Sequence, residues 1–302
     1  MLAGDTEAVG ATGTAAFVDK NAGADKTVNY TGVMLTGTKA ANYNLTTAGN
    51  ITGTGTINKA SLTLTAENVT KTYDGTTDVA AADGKLKISA GELYGDDSVS
   101  GGTFAFTDKN AGTNKTVTVS GATIRDGNSD GNYNVTYAEN TTSTINPKAL
   151  TTSFADISKT YDGTTDATAG VGTLAGVVTS DDGKVDVAAT ATYDEKNAGS
   201  RTVNYTGVTL SGTEAANYSI AETTTGKGTI TPKALNVSFA DISKTYDGTT
   251  NATAGAGTLA GVESVDDGKV DVTATATYDE KNAGSRTVNY TGVTLSGTEA
   301  AN

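Results

Sequence analysis

The stretch VDVAATATYDEKNAGSRTVNYTGVTL at 185–210 decides the fold. Val185, Val187, Ala189, Ala191 and Tyr193 share one parity and are separated by Asp186, Ala188, Thr190 and Thr192, the two-residue period of a half-buried strand. A turn rich in Asp, Asn and Gly at 194–199 leads into a second run, where Val203 and Tyr205 are odd and Val208 and Leu210 are even. A one-residue slip at Thr206-Gly207 keeps both pairs on the core face, which is what a β-bulge does. The fourth copy of the run repeats the first strand with Val270, Val272, Ala274, Ala276 and Tyr278. No window shows a 3.6-residue apolar stripe, so the expected class is all-β.

Working outward, the same signals recur. KTYDGTT stands at 71–77, 159–165 and 244–250; KNAG stands at 20–23, 109–112, 196–199 and 281–284. An Asn-Tyr pair falls at 42–43, 132–133 and 217–218, and the closing segments read TINKA (56–60), TINPKA (144–149) and TITPKA (229–234). A period of 85 to 90 residues is the size of one small β domain. The repeats are read as a partial unit at 1–60 without its opening third, whole units at 61–149 and 150–234, and a partial unit at 235–302 without its closing strands. In this reading Leu2 to Asp5 aligns with Leu93 to Asp96.

Tyr218 is preceded by Glu214 at four residues and Ala216 at two, the spacing of the tyrosine corner of immunoglobulin-type domains; Tyr43 and Tyr133 occupy the same place. Together with about seven short strands per unit, this makes tandem immunoglobulin-like sandwiches the expected architecture. A β-grasp or other small β fold is the alternative. Pro232 in the short link 232–234 stiffens the connection. End-to-end units at ~3.3 Å per strand residue would span roughly 120–150 Å.

Composition excludes much chemistry. Among 302 residues there is no Cys and no His, so thiol nucleophiles, zinc–thiolate sites and Ser-His-Asp arrangements are absent. The net charge of −13 opposes binding to nucleic acid phosphates. Thr accounts for 59 residues, and its stiff β-branch suits strands that face water. No apolar stretch is long enough for a membrane-spanning helix, and Met1 is followed by no signal-peptide pattern.

Four sets of candidate site residues stand out. Tyr73-Asp74-Gly75, Tyr161-Asp162-Gly163 and Tyr246-Asp247-Gly248 read either as a buried aromatic before a tight turn or as a repeated ligand-facing Tyr-Asp pair. Asp126, Asn128 and Asp130 open like a calcium loop, but Tyr137 stands where the bidentate acid belongs, so a surface turn is the competing reading; Asp181-Asp182-Gly183 and Asp266-Asp267-Gly268 match less well. Lys71, Lys159 and Lys244 recur beside Asn and Asp, as a Lys–Asn isopeptide crosslink would require. Asn-x-Ser/Thr occurs twelve times, which fits glycosylation or, alternatively, a polar strand face.

The ordered set KTYDGTT, KNAG, Asn-Tyr and TI-x-PKAL resembles the YDG domain repeat over essentially the whole chain. That resemblance implies a secreted, filamentous haemagglutinin-like bacterial surface protein. Its repeats would form a non-catalytic stalk on the cell surface, needing no cofactor and partnering mainly their neighbours. The alternative is a multivalent module whose loops bind glycan or host protein weakly, gaining by avidity.

Overall fold

The computed structural model describes residues 1–47 and 51–302. The chain is all-β and divides into two compact units, Met1–Asn146 and Pro147–Asn302. Among the described residues no helix is long and apolar enough to cross a membrane.

The repeat at 150–234 shows how the pattern folds. Strands Asp186–Tyr193 and Gly199–Ser211 form an antiparallel hairpin in which Val187 faces Leu210 and Tyr193 faces Val203. The register slips where Ala188 faces Thr209 but Thr190 faces Thr206. Gly207 sits in that slip at φ +58, the left-handed region in which a side chain is strained. The expected bulge is thus present, and Val203, Tyr205 and Val208 all reach the core. Strand Thr224–Thr231 pairs antiparallel with Gly199–Ser211 and parallel with Ile157–Thr160. Asp166–Ala167 closes the far edge, giving a mixed five-stranded sheet.

A second, smaller layer consists of Thr151–Phe154 paired with Gly172–Ala175, and Lys148–Ala149 paired in parallel with Tyr218–Ser219. Phe154 and Ile157 pack on the cluster of Tyr161, Tyr193, Val203, Tyr205, Val208 and Ile230. Phe154 stacks on Tyr205 with ring centroids 4.1 Å apart. The repeat at 61–149 has the same plan. Its larger sheet runs Thr70–Thr72, Asn140–Asn146, Gly112–Arg125, Ser98–Phe106, and its smaller one runs Leu86–Ala90, Ala60–Ala66, Tyr133–Tyr137. Leu62, Leu64, Ile124 and Tyr133 form the core between them. These are two-sheet sandwiches with parallel pairs at the first and last strands.

Aromatic rings lying on the sheet dictate glycine opposite them. A Cβ on Gly226 would stand 2.9 Å from Tyr205 Cε2, and one on Gly228 would stand 2.6 Å from Tyr193 Cε1. Tyr205 is fully buried, and among the described residues its hydroxyl has no hydrogen-bond partner. An unpaired buried hydroxyl costs about 1–3 kcal/mol. Tyr205→Phe is therefore expected to leave stability unchanged or raise it by up to ~1 kcal/mol in urea melts, whereas a loss would mean the hydroxyl is paired in solution.

In residues 1–60, strands Gly10–Phe17, Gly23–Thr36 and Ile51–Ile57 form one antiparallel sheet, with Val28 its buried hydrophobic residue. Residues 235–302 contribute the pair Asn236–Phe239 with Gly257–Ala260, and the sheet Asn251–Ala252, Asp271–Tyr278, Val288–Ser296.

Candidate functional site

The KTYDGTT segment builds a turn closed by its own side chains. Asp162 Oδ1 accepts hydrogen bonds from Thr164 N–H and Oγ1 at 2.9 Å and from Lys159 Nζ at 2.7 Å. Lys159 Nζ also donates to the carbonyls of Thr164 and Asp166 and lies 5.4 Å from the centre of the Tyr193 ring. Gly163 takes φ +76, which only glycine adopts without strain. The other two copies match: Lys71 with Asp74, Thr76 and Asp78, and Lys244 with Asp247, Thr249 and Asn251. Gly75 and Gly248 are likewise left-handed. The recurring lysine therefore clamps its own turn, and no Asn side chain is among the partners these bonds supply, as an isopeptide crosslink would need.

With the turn fixed, the tyrosine is left to project from its repeat. Tyr161 is buried, and its hydroxyl donates to Asp266 Oδ2 at 2.6 Å, 105 residues away in the next repeat. Lys196, from KNAG, donates to Asp266 Oδ1 and to the Tyr161 hydroxyl, each at 3.1 Å, and lies 3.6 Å from Glu299. Ala198 N–H donates to Asn302 Oδ1 at 2.9 Å, and Asn302 Nδ2 reaches Asn197 Oδ1 at 3.4 Å. Asp266 sits at the end of the short turn Ser264–Asp266 and is 2% exposed. The YDG tyrosine and KNAG of one repeat thus lock onto the acid turn and the Asn-Tyr corner of the following one. The Tyr161 ring packs in the core of its own repeat, and its hydroxyl serves the neighbour.

Unit Met1–Asn146 holds the KNAG part of the same joint. Lys20 Nζ donates to Asp97 Oδ1 at 2.9 Å, Ala22 N–H to Asn132 Oδ1 at 2.7 Å, and Asn132 Nδ2 to Asn21 Oδ1 at 3.3 Å. Tyr73 is buried with Lys109 Nζ on its hydroxyl at 3.2 Å. Tyr246, by contrast, is 60% exposed.

At Asp97 the corner tyrosine and the joint share one acid. The Tyr218 hydroxyl accepts Val178 N–H at 3.0 Å and donates to Asp181 Oδ2 at 2.7 Å. Tyr133 accepts Tyr94 N–H and donates to Asp97; Tyr43 accepts Leu2 N–H and donates to Asp5. These bonds place Leu2 with Tyr94 and Asp5 with Asp97, so the alignment read from sequence is one residue out. Glu214, the acid four residues before Tyr218, accepts instead from Asn217 Nδ2. Tyr218→Phe loses a donor to a buried carboxylate and strands a backbone N–H, so a cost of about 1–2 kcal/mol is expected in urea melts. A silent substitution would remove the corner from the account of stability.

Asp126 Oδ1 accepts N–H from Asn128 and Asp130, Oδ2 accepts that of Asn132, and Asp130 Oδ1 accepts Ile124 N–H. The candidate calcium oxygens are thus turned to backbone donors. Among the described residues no group of three or more acids is arranged to hold a metal ion.

Electrostatics fix the joint in one ionisation state. Burial works to raise the Asp266 carboxyl, but hydrogen bonds from Tyr161 and Lys196 outweigh it and hold the pKa below the usual carboxylate value. Bonds to Tyr161 and Asp266 push Lys196 above its ordinary value, and burial with the Asp266 bond pushes Tyr161 up. A lowered acid stabilises the folded joint above the unfolded pKa near 3.8 and ceases to as pH falls through the folded value. The raised lysine stabilises it below 10.5 and ceases to as pH rises through its own folded value. Stability of 235–302 is expected to be flat across neutrality, with the Asp266 contribution lost below pH 3.8; in Asp266→Asn that acid loss should shrink, and an unchanged acid limb would exclude Asp266 as its source.

The acid of the joint has a signal in the sequence that the motif reading does not use: an Asp stands 12 to 15 residues before each KNAG, at 5, 97, 181 and 266. The YDG domain model matches four successive segments, 1–50, 58–143, 146–225 and 231–302. No curated protein and no solved structure matches the chain. Four matches, falling in step with the repeated turn, joint and corner, cover nearly all of it, and the chain belongs to the YDG domain family.

Proposed function

We propose that this chain is a run of non-catalytic spacer repeats from a secreted bacterial surface adhesin, carrying a binding region away from the cell. The observation that supports this most is how the shared motifs are used. Lys, Asp and Thr of KTYDGTT close a turn, while Tyr161, Lys196 and Asn197 engage Asp266 and Asn302 of the next repeat. Motif residues spent on turns and on joining repeats serve length and stiffness. The Asp266–Lys196 pair keeps its charges across neutral pH, which suits a fixed joint and not a proton-transferring site. The bacterial, extracellular setting rests on the resemblance of the motif set to surface-protein repeats, and the reading requires no cofactor.

Small-angle scattering of the chain tests the spacer role. A radius of gyration well above the ~19 Å of a 302-residue globule is expected, and a value near it would sink the proposal. On a glycan array the chain is expected to be blank; specific, saturable binding there would favour the multivalent module instead.

A further inference from the structure

Tension on a tandem array enters each repeat where the chain arrives and leaves it where the chain departs. In the repeat at 150–234 the arriving strand Ile157–Thr160 and the departing strand Thr224–Thr231 are neighbours and parallel, in register from Ile157 opposite Gly228 to Thr160 opposite Thr231. The Tyr161 N–H extends this ladder to the Thr231 carbonyl at 2.8 Å. Pulled by its neighbours, the repeat is held at the start of one strand and the end of the other. In a parallel pair these are opposite ends of the ladder, so the pull runs along it and its bonds must fail together. Antiparallel terminal strands would be pulled at one end and would open bond by bond.

The departing strand has a second hold, the antiparallel ladder to Gly199–Ser211. The arriving strand lies at the sheet edge and has no second ladder. Lys159 supplies the missing hold. Its Nζ donates to Asp162 Oδ1 and to the Asp166 carbonyl at 2.9 Å, and Asp166–Ala167 is the opposite edge of the same sheet. One side chain therefore ties both edges together. Lys71 does the same in the repeat at 61–149: it reaches the carbonyl of Asp78, which bridges to Ala105 on the far edge strand Ser98–Phe106. That repeat also pairs Thr70–Thr72 in parallel with Thr144–Asn146, and Ala60–Ala66 in parallel with Tyr133–Tyr137 in its other layer.

We propose that this parallel pair is a clamp loaded in shear, that it gives each repeat the further function of withstanding tension, and that the lysine of KTYDGTT locks it. The function goes beyond that of a spacer, which needs length alone; an extended rod can still yield to a weak pull. It stands on pairing inside one repeat and not on the adhesin assignment. The joint completes it. Tyr161 follows Thr160 directly and is hydrogen-bonded to Asp266 of the next repeat. At that end both strands are thus held by the next repeat, the departing one through the chain and the arriving one through the tyrosine.

The chain has no Cys, so a pair of introduced cysteines gives unique handles for single-molecule stretching of the whole chain. Asp156, Lys227 and Pro232 are exposed. Handles at Asp156→Cys and Pro232→Cys pull the pair in shear; handles at Asp156→Cys and Lys227→Cys lie at one end of the ladder and unzip it. At equal loading rate the shear force is expected to be at least about twice the unzipping force, because forced unfolding reads the barrier along the pull and not the stability of the fold. Lys159→Met is expected to lower the shear force and leave the unzipping force unchanged, since the Ile157–Gly228 end opens first. Asp162→Asn, a milder cut of the same lock, is expected to act likewise by less. Equal forces in the two directions, or a weaker one in shear, would overturn the clamp. A shear force unchanged in both variants, or an equal fall in both directions, would overturn the role of the lysine.

Discussion

Asp266→Ala is expected to lower the stability of residues 235–302 by about 3 kcal/mol, the largest single loss at the joint. The carboxylate is 2% exposed and receives the Tyr161 hydroxyl and the Lys196 ammonium. Removing it leaves both donors at a buried junction without their acceptor. Truncating one member of a buried charged network costs about 3–5 kcal/mol, and the partly open side of Lys196 argues for the lower end. Asp266→Asn keeps an acceptor and should lose less. Tyr161→Phe should lose about 1–2 kcal/mol, because it removes the hydroxyl's bonds to Asp266 and from Lys196 but leaves the Lys196–Asp266 pair intact. Repeat-resolved hydrogen exchange on the whole chain checks this. Amides at 270–295 should exchange faster in Asp266→Ala while those at 61–146 keep their rates. Unchanged exchange at 270–295 would mean that the joint joins the repeats without stabilising them.

Gly228→Ala should cost a similar amount, about 3 kcal/mol, for a different reason. The added Cβ would meet Tyr193 Cε1 at 2.6 Å, Val203 Cγ2 at 2.7 Å and the Ile157 carbonyl at 3.2 Å. Strand Thr224–Thr231 is held by ladders on both edges, so it cannot move away, and overpacking in such a place costs 1–3 kcal/mol or more. Gly207 provides the comparison. Its Cβ would meet nothing within 4 Å, so Gly207→Ala carries only the left-handed backbone penalty of about 1 kcal/mol. Urea melts of the two variants should therefore differ by roughly 2 kcal/mol; equal losses would show that the Tyr193 ring yields. Tyr193→Leu introduced beside Gly228→Ala should recover part of the loss by vacating the ring edge.

How much was legible in the sequence depends on the range of each interaction. The hairpin 185–210 was, because alternation and the Thr206-Gly207 parity switch are local, and a strand has only two faces to offer. The turn was half legible: Asp-Gly marks it, but nothing in KTYDGTT says that Lys159 folds back on Asp162 and Asp166. The corner tyrosines were located by spacing, while their acid partners, 36 to 38 residues upstream, were not.

By itself, then, the sequence determined an all-β chain of four related repeats, since periodicity and repetition are properties of residue order. Only the tertiary structure decided that the parallel pairing of Ile157–Thr160 with Thr224–Thr231 closes its sheet, because parallel partners lie some seventy residues apart and share no local signal. It also decided that Tyr161, Lys196, Asp266 and Asn302 form one site. Each has a bland local reading, and a charge-assisted contact spanning 105 residues exists only once both repeats have folded and brought a donor to within 3 Å of a buried acid.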